Sequence, residues 1–478
     1  MTYMIIDGKQ VEALDGRTID VFSPADGQVF TTIPRGQEAD VDAAVKAAHR
    51  ALEGEWGKLT ALDRGRLLQR LSASVLEHHE ELAQLESKDT GKPISTSRAD
   101  VTVLARYFEF YGAAADKVHG ETIPYQANYA VQVIREPLGV TAHIIPWNYP
   151  AQMFGRSVAP ALAMGNAAVV KPAEDACLSI IRVAQLALDV GFPPGALNVV
   201  TGLGEEAGAS LSRHPGINFV TFTGSNEVGV LIQQAAALNA VKCVLELGGK
   251  SAHIVFNDAN YKLAIPAIVK GIVHNTGQTC TAGSRLLVQR DIYDDFMAEV
   301  GKEFAKTRAG TPEMDLSCGP VVNKDQYDRV NRFIAKGLAE GLKVLAEGGV
   351  ADDVPEGGYF VKPTLFSAPD HSSDLLCQEI FGPVLVAVPF DNEDEAIRLS
   401  NATDYGLLGA VWTENGGRQQ RVARGMKCGQ VYINGFGAGG GVELPFGGVK
   451  KSGHGREKGF VALEEMSTTK TIVQFYGE

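Results

Sequence analysis

The chain has 478 residues, of which 45% are hydrophobic and 21% charged, and its formal net charge is −13. At roughly 100–200 residues per domain, this length predicts two to four domains with a substantial buried core. Lysine and arginine are scattered along the chain rather than gathered into a basic stripe. The composition therefore argues against a nucleic-acid partner.

The cysteine pattern and the first residues bear on where the protein works. Six cysteines lie far apart without a CxxC pair, a spacing that fits neither a zinc site nor a disulfide framework and indicates reduced thiols. Residues 1–8 have no basic region and no signal-peptide core. No stretch approaches the roughly 18 apolar residues that cross a bilayer. We expect a cytoplasmic protein with no membrane or metal site.

Elements of secondary structure are predicted in the following order. The first forty residues predict β-hairpins, because the turn formers Asp7-Gly8 and 24–27 (PADG) interrupt their apolar runs. Amphipathic helices follow, with apolar residues at helical spacing over 41–52 and 67–82. From residue 140 onward, β-rich runs alternate with helical patterns, which predicts parallel strands and a doubly wound α/β sheet. We place its strands at 140–145, 167–170, 196–200, 217–221 and 242–246.

A second alternation runs from 251–256 to 430–434 and is long enough for another α/β domain. Residues 129–135 and the tail at 470–476 also have strand patterns, but neither has an obvious partner in a packed core. We therefore expect edge strands that pair in an arm or across subunits.

The segment 277–283 (GQTCTAG) places Cys280 among small and polar residues, on a predicted turn where its sulfur can be approached. A thiolate attacks carbonyl carbon well. Because the pKa of a free cysteine is about 8.5, the site must favour the anion or supply a base. The alternative is a small buried hydrophobic residue, as most free cysteines are.

In the segment 244–250 (VLELGGK), Glu246 closes an apolar strand just before two glycines. Desolvation there would raise the pKa of the carboxyl group toward neutrality and make it a usable general base. The alternative is a strand-end carboxylate in an ion pair, with Lys250 as the nearest candidate.

Two further segments follow predicted strands. Asn148 lies between two prolines in 146–150 (PWNYP), and its amide is a good neutral donor to an oxyanion, although a simple turn residue is the alternative. Residues 222–229 (FTGSNEVG) open a helix whose free N–H groups would suit a pyrophosphate. This segment differs from the usual GxGxxG pattern, so its spacing alone is a weak signal.

Together these segments resemble the NAD(P)-dependent aldehyde dehydrogenase superfamily over nearly the whole chain. The motifs IIPWNYP, KPAE, FTGS, ELGGK, GQTC, EIFGP and PFGGVKKSGHGRE occur in the order and approximate spacing of that family. The most specific feature is the separation of 34 positions (280 − 246) between the ELGGK glutamate and the GQTC cysteine.

The resemblance implies that Cys280 attacks the aldehyde carbon to form a hemithioacetal, whose oxyanion is held by the Asn148 amide and the Cys280 backbone N–H. Hydride transfer to the nicotinamide then leaves a thioester. Glu246 takes a proton from the water that releases the carboxylic acid. The family's second, more remote glutamate position near the C-terminus corresponds to Thr468, which leaves open whether a relay assists Glu246.

The resemblance also implies NAD as the cofactor, with NADP as the alternative. Lys171 and Glu174 match residues that hold the adenosine ribose hydroxyls, and a carboxylate there would repel a 2′-phosphate. Ile145 and Trp147 match the adenosine and ribose path. The remaining implied contacts are Gly224, Ser225 and Gly229 at the pyrophosphate, and Glu379 and Phe381 at the nicotinamide and its ribose.

The implied architecture is a Rossmann-like cofactor domain (1–118 and 139–247), an α/β catalytic domain (248–463) and a β oligomerisation arm (119–138 and 464–478). Strands of such an arm pair across subunits. A homodimer or homotetramer follows by analogy, because closed symmetry is the common outcome.

The resemblance implies an aldehyde substrate, and Arg156 suggests which kind. In the succinate-semialdehyde branch an arginine at the matching position holds the substrate carboxylate. That branch often has a further arginine shortly before the catalytic cysteine, where this chain has His274. We hypothesise a semialdehyde that carries an acid group. The alternatives are an aromatic or simple aliphatic aldehyde, with Arg156 in a salt bridge that has no substrate role.

Proteins of three other classes are rivals. A catalytically silent binding protein on the same fold would be expected to lose Cys280 or Glu246, which are both present. A CoA-acylating dehydrogenase is disfavoured by Glu246. An ester or thioester hydrolase would not explain the cofactor motifs.

Overall fold

The computed structural model describes residues 2–437 and 441–477. Its α-helices are α1 (Glu38–Glu53), α2 (Glu55–Lys58), α3 (Ala61–Glu77), α4 (His79–Thr90), α5 (Ile94–Ala114), α6 (Pro150–Ala163), α7 (Leu178–Asp189), α8 (Ala209–Arg213), α9 (Asn226–Ala237), α10 (Tyr261–Val273), α11 (Tyr293–Phe304), α12 (Lys324–Ala339), α13 (Asp374–Cys377), α14 (Glu393–Ser400), α15 (Gly416–Gly425) and α16 (Val461–Glu465). Within the described residues, none of these helices combines the length and the apolar character that a membrane crossing requires.

The β-strands are β1 (Met4–Ile6), β2 (Lys9–Val11), β3 (Thr18–Phe22), β4 (Val29–Pro34), β5 (Glu121–Thr122), β6 (Tyr129–Pro137), β7 (Val140–Ile145), β8 (Ala167–Pro172), β9 (Leu197–Val199), β10 (Phe219–Thr223), β11 (Lys242–Glu246), β12 (Ala252–Val255), β13 (Arg285–Gln289), β14 (Arg308–Ala309), β15 (Lys343–Glu347), β16 (Gly349–Val350), β17 (Thr364–Ser367), β18 (Val384–Phe390), β19 (Leu408–Trp412), β20 (Gln430–Ile433), β21 (Gly453–His454) and β22 (Ser467–Phe475).

The first sheet has the strand order β2-β1-β9-β8-β7-β10-β11-β21. Strands β7 to β11 run parallel to one another, and helices α6 to α9 connect them. Their order in space reverses beside β7, which is the doubly wound arrangement that the alternating pattern predicted. The strands predicted at 140–145 and 242–246 have the observed bounds, and the one predicted at 217–221 begins two residues later.

The second sheet has the order β15-β17-β18-β13-β12-β19-β20 and is parallel except for the edge strand β15. Neighbouring residues of β12 pack into different clusters, with Ile254 on one face of the sheet and Val255 on the other. Both faces are therefore buried, as is usual for parallel sheets. The predicted α/β class is confirmed for both alternating segments.

Strand β21 lies near the C-terminal end of the chain and pairs with the edge of the first sheet. Gly453 and His454 pair antiparallel with Glu246 and Leu245 at the end of β11. A backbone bridge between Phe446 and Glu457 closes the loop around this pair. Residues 446–458, which follow the second sheet in sequence, therefore surround Glu246.

The two segments without an obvious core partner pair with each other. Strand β22 runs antiparallel to β6 from the Ser467–Pro137 pair to the Phe475–Tyr129 pair, and β5 completes a small separate sheet. In the first forty residues, β1 pairs with β2 and β3 with β4. The predicted hairpins are therefore present.

Candidate active site

A tight turn presents Cys280. Asn275, Thr276 and Gly277 are consecutive residues with positive φ angles of 47°, 57° and 72°. A side chain at position 277 would place its Cβ 2.2 Å from the carbonyl oxygen of Gly382, so glycine is required there. Cys280 is half-buried on this turn, whereas Cys177, Cys243 and Cys318 are buried.

Asn148 is fixed against this turn from the end of β7. Its buried side-chain Nδ2 donates to the backbone oxygen of Gln278 at 3.0 Å, and Asn275 Nδ2 donates to the backbone oxygen of Asn148 at 2.9 Å. Asn148 and Cys280 line the same cleft. The geometry therefore brings a neutral amide donor to the cleft that contains the sulfur.

Glu246 is a buried carboxylate at the end of β11. Only 2% of the residue is exposed, and neither carboxylate oxygen has a hydrogen-bond partner among the described residues. Burial, reinforced by the negative charge of Glu457, raises the pKa of Glu246 well above its usual range. The alternative ion pair with Lys250 is not formed, since no partner for Lys250 Nζ is found in the described part of the chain.

Glu457 was not identified from the sequence. It is buried, it forms an ion pair with Arg156, and its charge reaches Glu246. Thr468, which resemblance assigned to the second glutamate position, lies instead opposite Glu136 in the β22–β6 pair. Glu457 is the last residue of the motif PFGGVKKSGHGRE, but no role was predicted for it, because a segment rich in glycine and charged residues is typical of an exposed loop.

Arg156 lies on α6 and is buried. Its guanidinium pairs with Glu457, donates through Nη2 to Thr223 Oγ1 at 3.2 Å and packs 4.8 Å from the centre of the Phe446 ring. The same side chain lines a small pocket that contains Cys280. The salt bridge that the sequence left as an alternative is thus present, and Arg156 also faces the pocket.

Groups of opposite charge act on the pKa of the Cys280 thiol. Burial raises its pKa to about 12, while the positive charge of Arg156 acts to lower it and the carboxyl groups of Glu379 and Glu246 act to raise it. The thiol is therefore protonated at neutral pH and needs a proton acceptor before it can attack. Glu246 offers an unsatisfied carboxylate in the same cleft.

The cleft on one side of Cys280 has a volume of about 330 Å³. The start of α9 opens onto it, and the N-cap Ser225 accepts a hydrogen bond from the N–H of Val228. The other N–H groups of this first turn suit a pyrophosphate. Of the residues predicted to bind the cofactor, those that line the cleft are Trp147, Gly224, Ser225, Glu379 and Phe381.

Glu379 is held at the far wall of the cleft. Gly249 N–H donates to its Oε1 at 2.8 Å, and a Cβ at Gly248 would lie 2.4 Å from its Oε2. Burial raises the pKa of Glu379 to about 7. Trp147 and Phe381 form an edge-to-face pair with 5.4 Å between ring centres. These residues offer a polar group and aromatic surface, which fits a ribose and a nicotinamide ring.

The other predicted cofactor residues lie outside the lining of this cleft. Ile145 and Lys171 are at the ends of the adjacent strands β7 and β8, and Lys171 Nζ donates to Glu174 Oε2 at 2.7 Å. Gly229 lies in α9, where a Cβ would meet the Leu247 side chain at 2.6 Å. The absence of a side chain at Gly229 therefore lets α9 pack against Leu247, which directly follows β11.

A second, smaller pocket opens on the other side of Cys280. Aromatic rings and two cationic side chains line it, including Tyr107, Tyr149, Arg156, Phe446 and Lys458. His274 lines a different cavity of about 300 Å³, and its ring stacks on Tyr149. Burial lowers the pKa of His274 to about 4, so the imidazole is neutral at physiological pH. Among the residues the structure describes, no group of three or more metal-ligating side chains is positioned to hold an ion.

Comparison with known proteins gives consistent results. The model of the aldehyde dehydrogenase family matches residues 11–472. Hydroxyisobutyraldehyde dehydrogenase from Mycolicibacterium austroafricanum is 41% identical over 98% of this chain and 93% of its own length. Human retinal dehydrogenase 2 is 39% identical over 98% of this chain and 91% of its own.

Solved structures agree with this relationship. Betaine aldehyde dehydrogenase from Staphylococcus aureus, crystallised with NAD⁺, superposes with a TM-score of 0.97 at 37% identity. The match covers all of this chain and 95% of that one.

Proposed function

The chain belongs to the aldehyde dehydrogenase family, and we propose that it oxidises an aldehyde to a carboxylic acid with NAD as hydride acceptor. One observation carries the proposal: Cys280, Asn148 and Glu246 line a single cleft together with Glu379 and Phe381. A nucleophile, a neutral oxyanion donor and a buried base thus face the surface that fits the nicotinamide end of the cofactor.

In the first half of the reaction, the sulfur of Cys280 attacks the aldehyde carbon and the buried carboxylate of Glu246 takes the thiol proton. The new alkoxide oxygen accepts hydrogen bonds from the Asn148 amide and the Cys280 backbone N–H. Donors fixed in a water-poor site stabilise such a charge strongly. Bound NAD supplies the acceptor for the hydride of the former aldehyde carbon, so a thioester remains on Cys280.

In the second half, Glu246 gives up the thiol proton and then accepts one from a water molecule. That water attacks the thioester carbon, the C–S bond breaks, and the carboxylic acid leaves while the sulfur of Cys280 is released. Glu457, whose charge already acts on Glu246, offers the next site for the proton. Arg156 keeps Glu457 in place through their ion pair.

We propose NAD rather than NADP as the preferred cofactor. Lys171 and Glu174 pair at the ends of the strands that lead to the cleft, where the adenosine ribose of a dinucleotide would lie. The Glu174 carboxylate accepts from ribose hydroxyls and repels a 2′-phosphate. Ile145, Gly224, Ser225 and Gly229 would complete the adenosine and pyrophosphate path.

We also propose the division into a cofactor domain (1–118 and 139–247), a catalytic domain (248–463) and an oligomerisation arm (119–138 and 464–478). The first large sheet is built almost entirely from strands of the cofactor range, and the second from strands of the catalytic range. The exception is β21, which lies in the catalytic range and pairs with β11 of the first sheet.

Ile472, Val473 and Phe475 of β22 are exposed, which suits a homodimer or homotetramer. All six cysteines are free, which suits the reducing cytoplasm.

For the substrate, we propose an aldehyde that carries a carboxylate. The pocket beside Cys280 contains Arg156, whose planar guanidinium suits a carboxylate group. A neutral aromatic or aliphatic aldehyde is the second candidate, because Tyr107, Tyr149 and Phe446 give the same pocket an apolar surface.

The test is cofactor reduction by the purified protein with NAD or NADP and a panel of succinic semialdehyde, benzaldehyde, propanal and betaine aldehyde. We expect an absorbance increase at the wavelength of the reduced cofactor, without CoA, that is abolished in Cys280→Ala. No reduction with any aldehyde despite measurable NAD binding would favour a catalytically silent protein. An increase that requires CoA would favour the acylating class.

The role of Arg156 is tested by kcat/KM for succinic semialdehyde and for a neutral aldehyde of similar length. We expect Arg156→Ala to lower both values, because it releases Glu457, and to lower the value for succinic semialdehyde more. An equal loss for both substrates would contradict a role of Arg156 in binding the carboxylate.

A further inference from the structure

Lys458 is a charged residue in an unusual place. It is only 3% exposed, its Nζ lies 5.4 Å from the centre of the Phe446 ring, and it lines the pocket that contains Cys280. A long charged side chain that is buried at this level is rare unless it has a specific partner or role.

The backbone of Lys458 is also unusual. Its φ angle is 64°, in the left-handed region where glycine is unstrained and a long side chain is not. The residue before it, Glu457, pairs with Arg156, while Lys458 itself faces the pocket. The backbone therefore holds two consecutive charged residues in different environments at the reaction centre.

Arg156 is the other basic residue of the pocket. Arg156 pairs with Glu457 and donates to Thr223, so part of its guanidinium serves the environment of Glu246. His274, at the position where a second arginine would be expected, is neutral and lines a different cavity. His274 therefore adds no positive charge to this pocket, and Arg156 and Lys458 are its two basic side chains.

We propose that Lys458 binds the carboxylate of the aldehyde substrate and thereby sets the preference for an anionic over a neutral aldehyde. This inference rests on the proposed function and names a further substrate-binding residue within it. The ammonium group would donate a charge-assisted hydrogen bond to the carboxylate while the aldehyde carbon lies at Cys280. Arg156 stands beside the same carboxylate and keeps its own bond to Glu457.

The charges around Lys458 predict a pH dependence. Burial and the positive charge of Arg156 lower its pKa to about 7, whereas the carboxyl groups of Glu457 and Glu443 and the Cys280 thiol act to raise it. A substrate carboxylate adds negative charge and so favours the ammonium form. The preference for the anionic aldehyde should therefore be full at low pH and decline as the pH rises through the pKa of Lys458.

The first experiment measures kcat/KM for succinic semialdehyde and for pentanal with the wild type, Lys458→Met, Lys458→Arg and the control Lys302→Met. Lys302 is an exposed residue of α11. We expect Lys458→Met to lower the ratio of kcat/KM for succinic semialdehyde to kcat/KM for pentanal by about 10- to 100-fold, as loss of a hydrogen bond to a charged group does. The change should come chiefly from a higher KM for succinic semialdehyde. Lys458→Arg should restore most of the ratio. An unchanged ratio in Lys458→Met would overturn the inference.

A second measurement does not depend on turnover. Succinate, the product of succinic semialdehyde, should protect Cys280 from alkylation by iodoacetamide in the wild type and in Lys302→Met, and not in Lys458→Met. Equal protection in all three proteins would overturn the inference.

The two hypotheses can fail separately. Oxidation of pentanal without a preference for succinic semialdehyde would overturn the role of Lys458 and leave the proposed function intact. If no aldehyde reduces the cofactor, the proposed function fails, and the protection experiment still decides whether Lys458 binds a carboxylate.

Discussion

The two pockets beside Cys280 differ in what lines them, since backbone groups shape one and side chains shape the other. On the cofactor side, a cleft of about 330 Å³ is formed where strands end and helix α9 begins, so backbone N–H groups and two glycines supply much of its shape. On the substrate side, long side chains from distant segments meet around the ring of Phe446.

This difference separates what the fold imposes from what individual residues decide. A pocket made by backbone geometry changes little when an exposed side chain is replaced, because the parallel sheet sets its shape. A pocket made by side chains can change its preference through one substitution. Specificity for the aldehyde should therefore vary more easily than specificity for the dinucleotide.

Among the three glutamate substitutions that test this comparison, the largest effect is expected at Glu246, which lines the cleft on the cofactor side. Glu246→Gln should lower steady-state turnover by about 10²- to 10⁴-fold, since it removes the base for hydrolysis. We expect a slow release of one equivalent of reduced cofactor and a thioester on Cys280, seen as an added mass on the intact protein. Glu299→Gln, an exposed change on α11, is the control. Repeated turnover at the wild-type rate would show that Glu246 serves the fold and not the reaction.

A moderate effect is expected at Glu457, on the substrate side. The charge of Glu457 raises the pKa of Glu246 and its removal frees Arg156, whose charge lowers that pKa. Both consequences of the substitution therefore lower the pKa of Glu246. Activity that needs ionised Glu246 is lost as the pH falls through its pKa, so Glu457→Gln should move the acid limb of the kcat profile down by about one unit.

The control for this measurement is Glu464→Gln, an exposed carboxylate on α16, which should leave the acid limb in place. A limb that moves upward in Glu457→Gln would mean that Glu457 does not act on Glu246 through its charge.

The smallest effect is expected at Glu174, on the cofactor side. Glu174→Gln removes the charge that repels a 2′-phosphate and retains Lys171. The ratio of kcat/KM for NADP to that for NAD should increase by about tenfold, as measured with one aldehyde at saturating concentration. If the ratio stays constant, the backbone-built side sets the choice of dinucleotide without Glu174.

Sequence patterns predicted the strands that lead to the cofactor side because these elements are local. Each strand of the doubly wound sheet is a short apolar run, and its carboxyl end is followed directly by the segment that faces the cleft. The substrate side was less predictable. Glu457 reaches Arg156 and Lys458 reaches the pocket of Cys280 because β21 pairs with β11 across more than two hundred positions. Such a pairing leaves no periodic signal in either segment.

The prediction for Arg156 illustrates the same limit. Its position on α6 followed from the spacing after Asn148, but its partner Glu457 comes from a loop three hundred residues later in the chain. The charges that surround a buried guanidinium are set by tertiary structure. The sequence therefore could not decide between a salt bridge of Arg156 and a contact of Arg156 with the substrate pocket.

The pairing of β22 with β6 has a consequence for handling the protein. Nine residue pairs join these strands, and removal of residues 467–475 would leave β6 with an unpaired edge that includes Val131 and Val133. Unprotected edges of this length recruit strands from other chains. Proteolytic trimming of the last segment would therefore turn an ordered ribbon into a template for aggregation, before any residue around Cys280 had been touched.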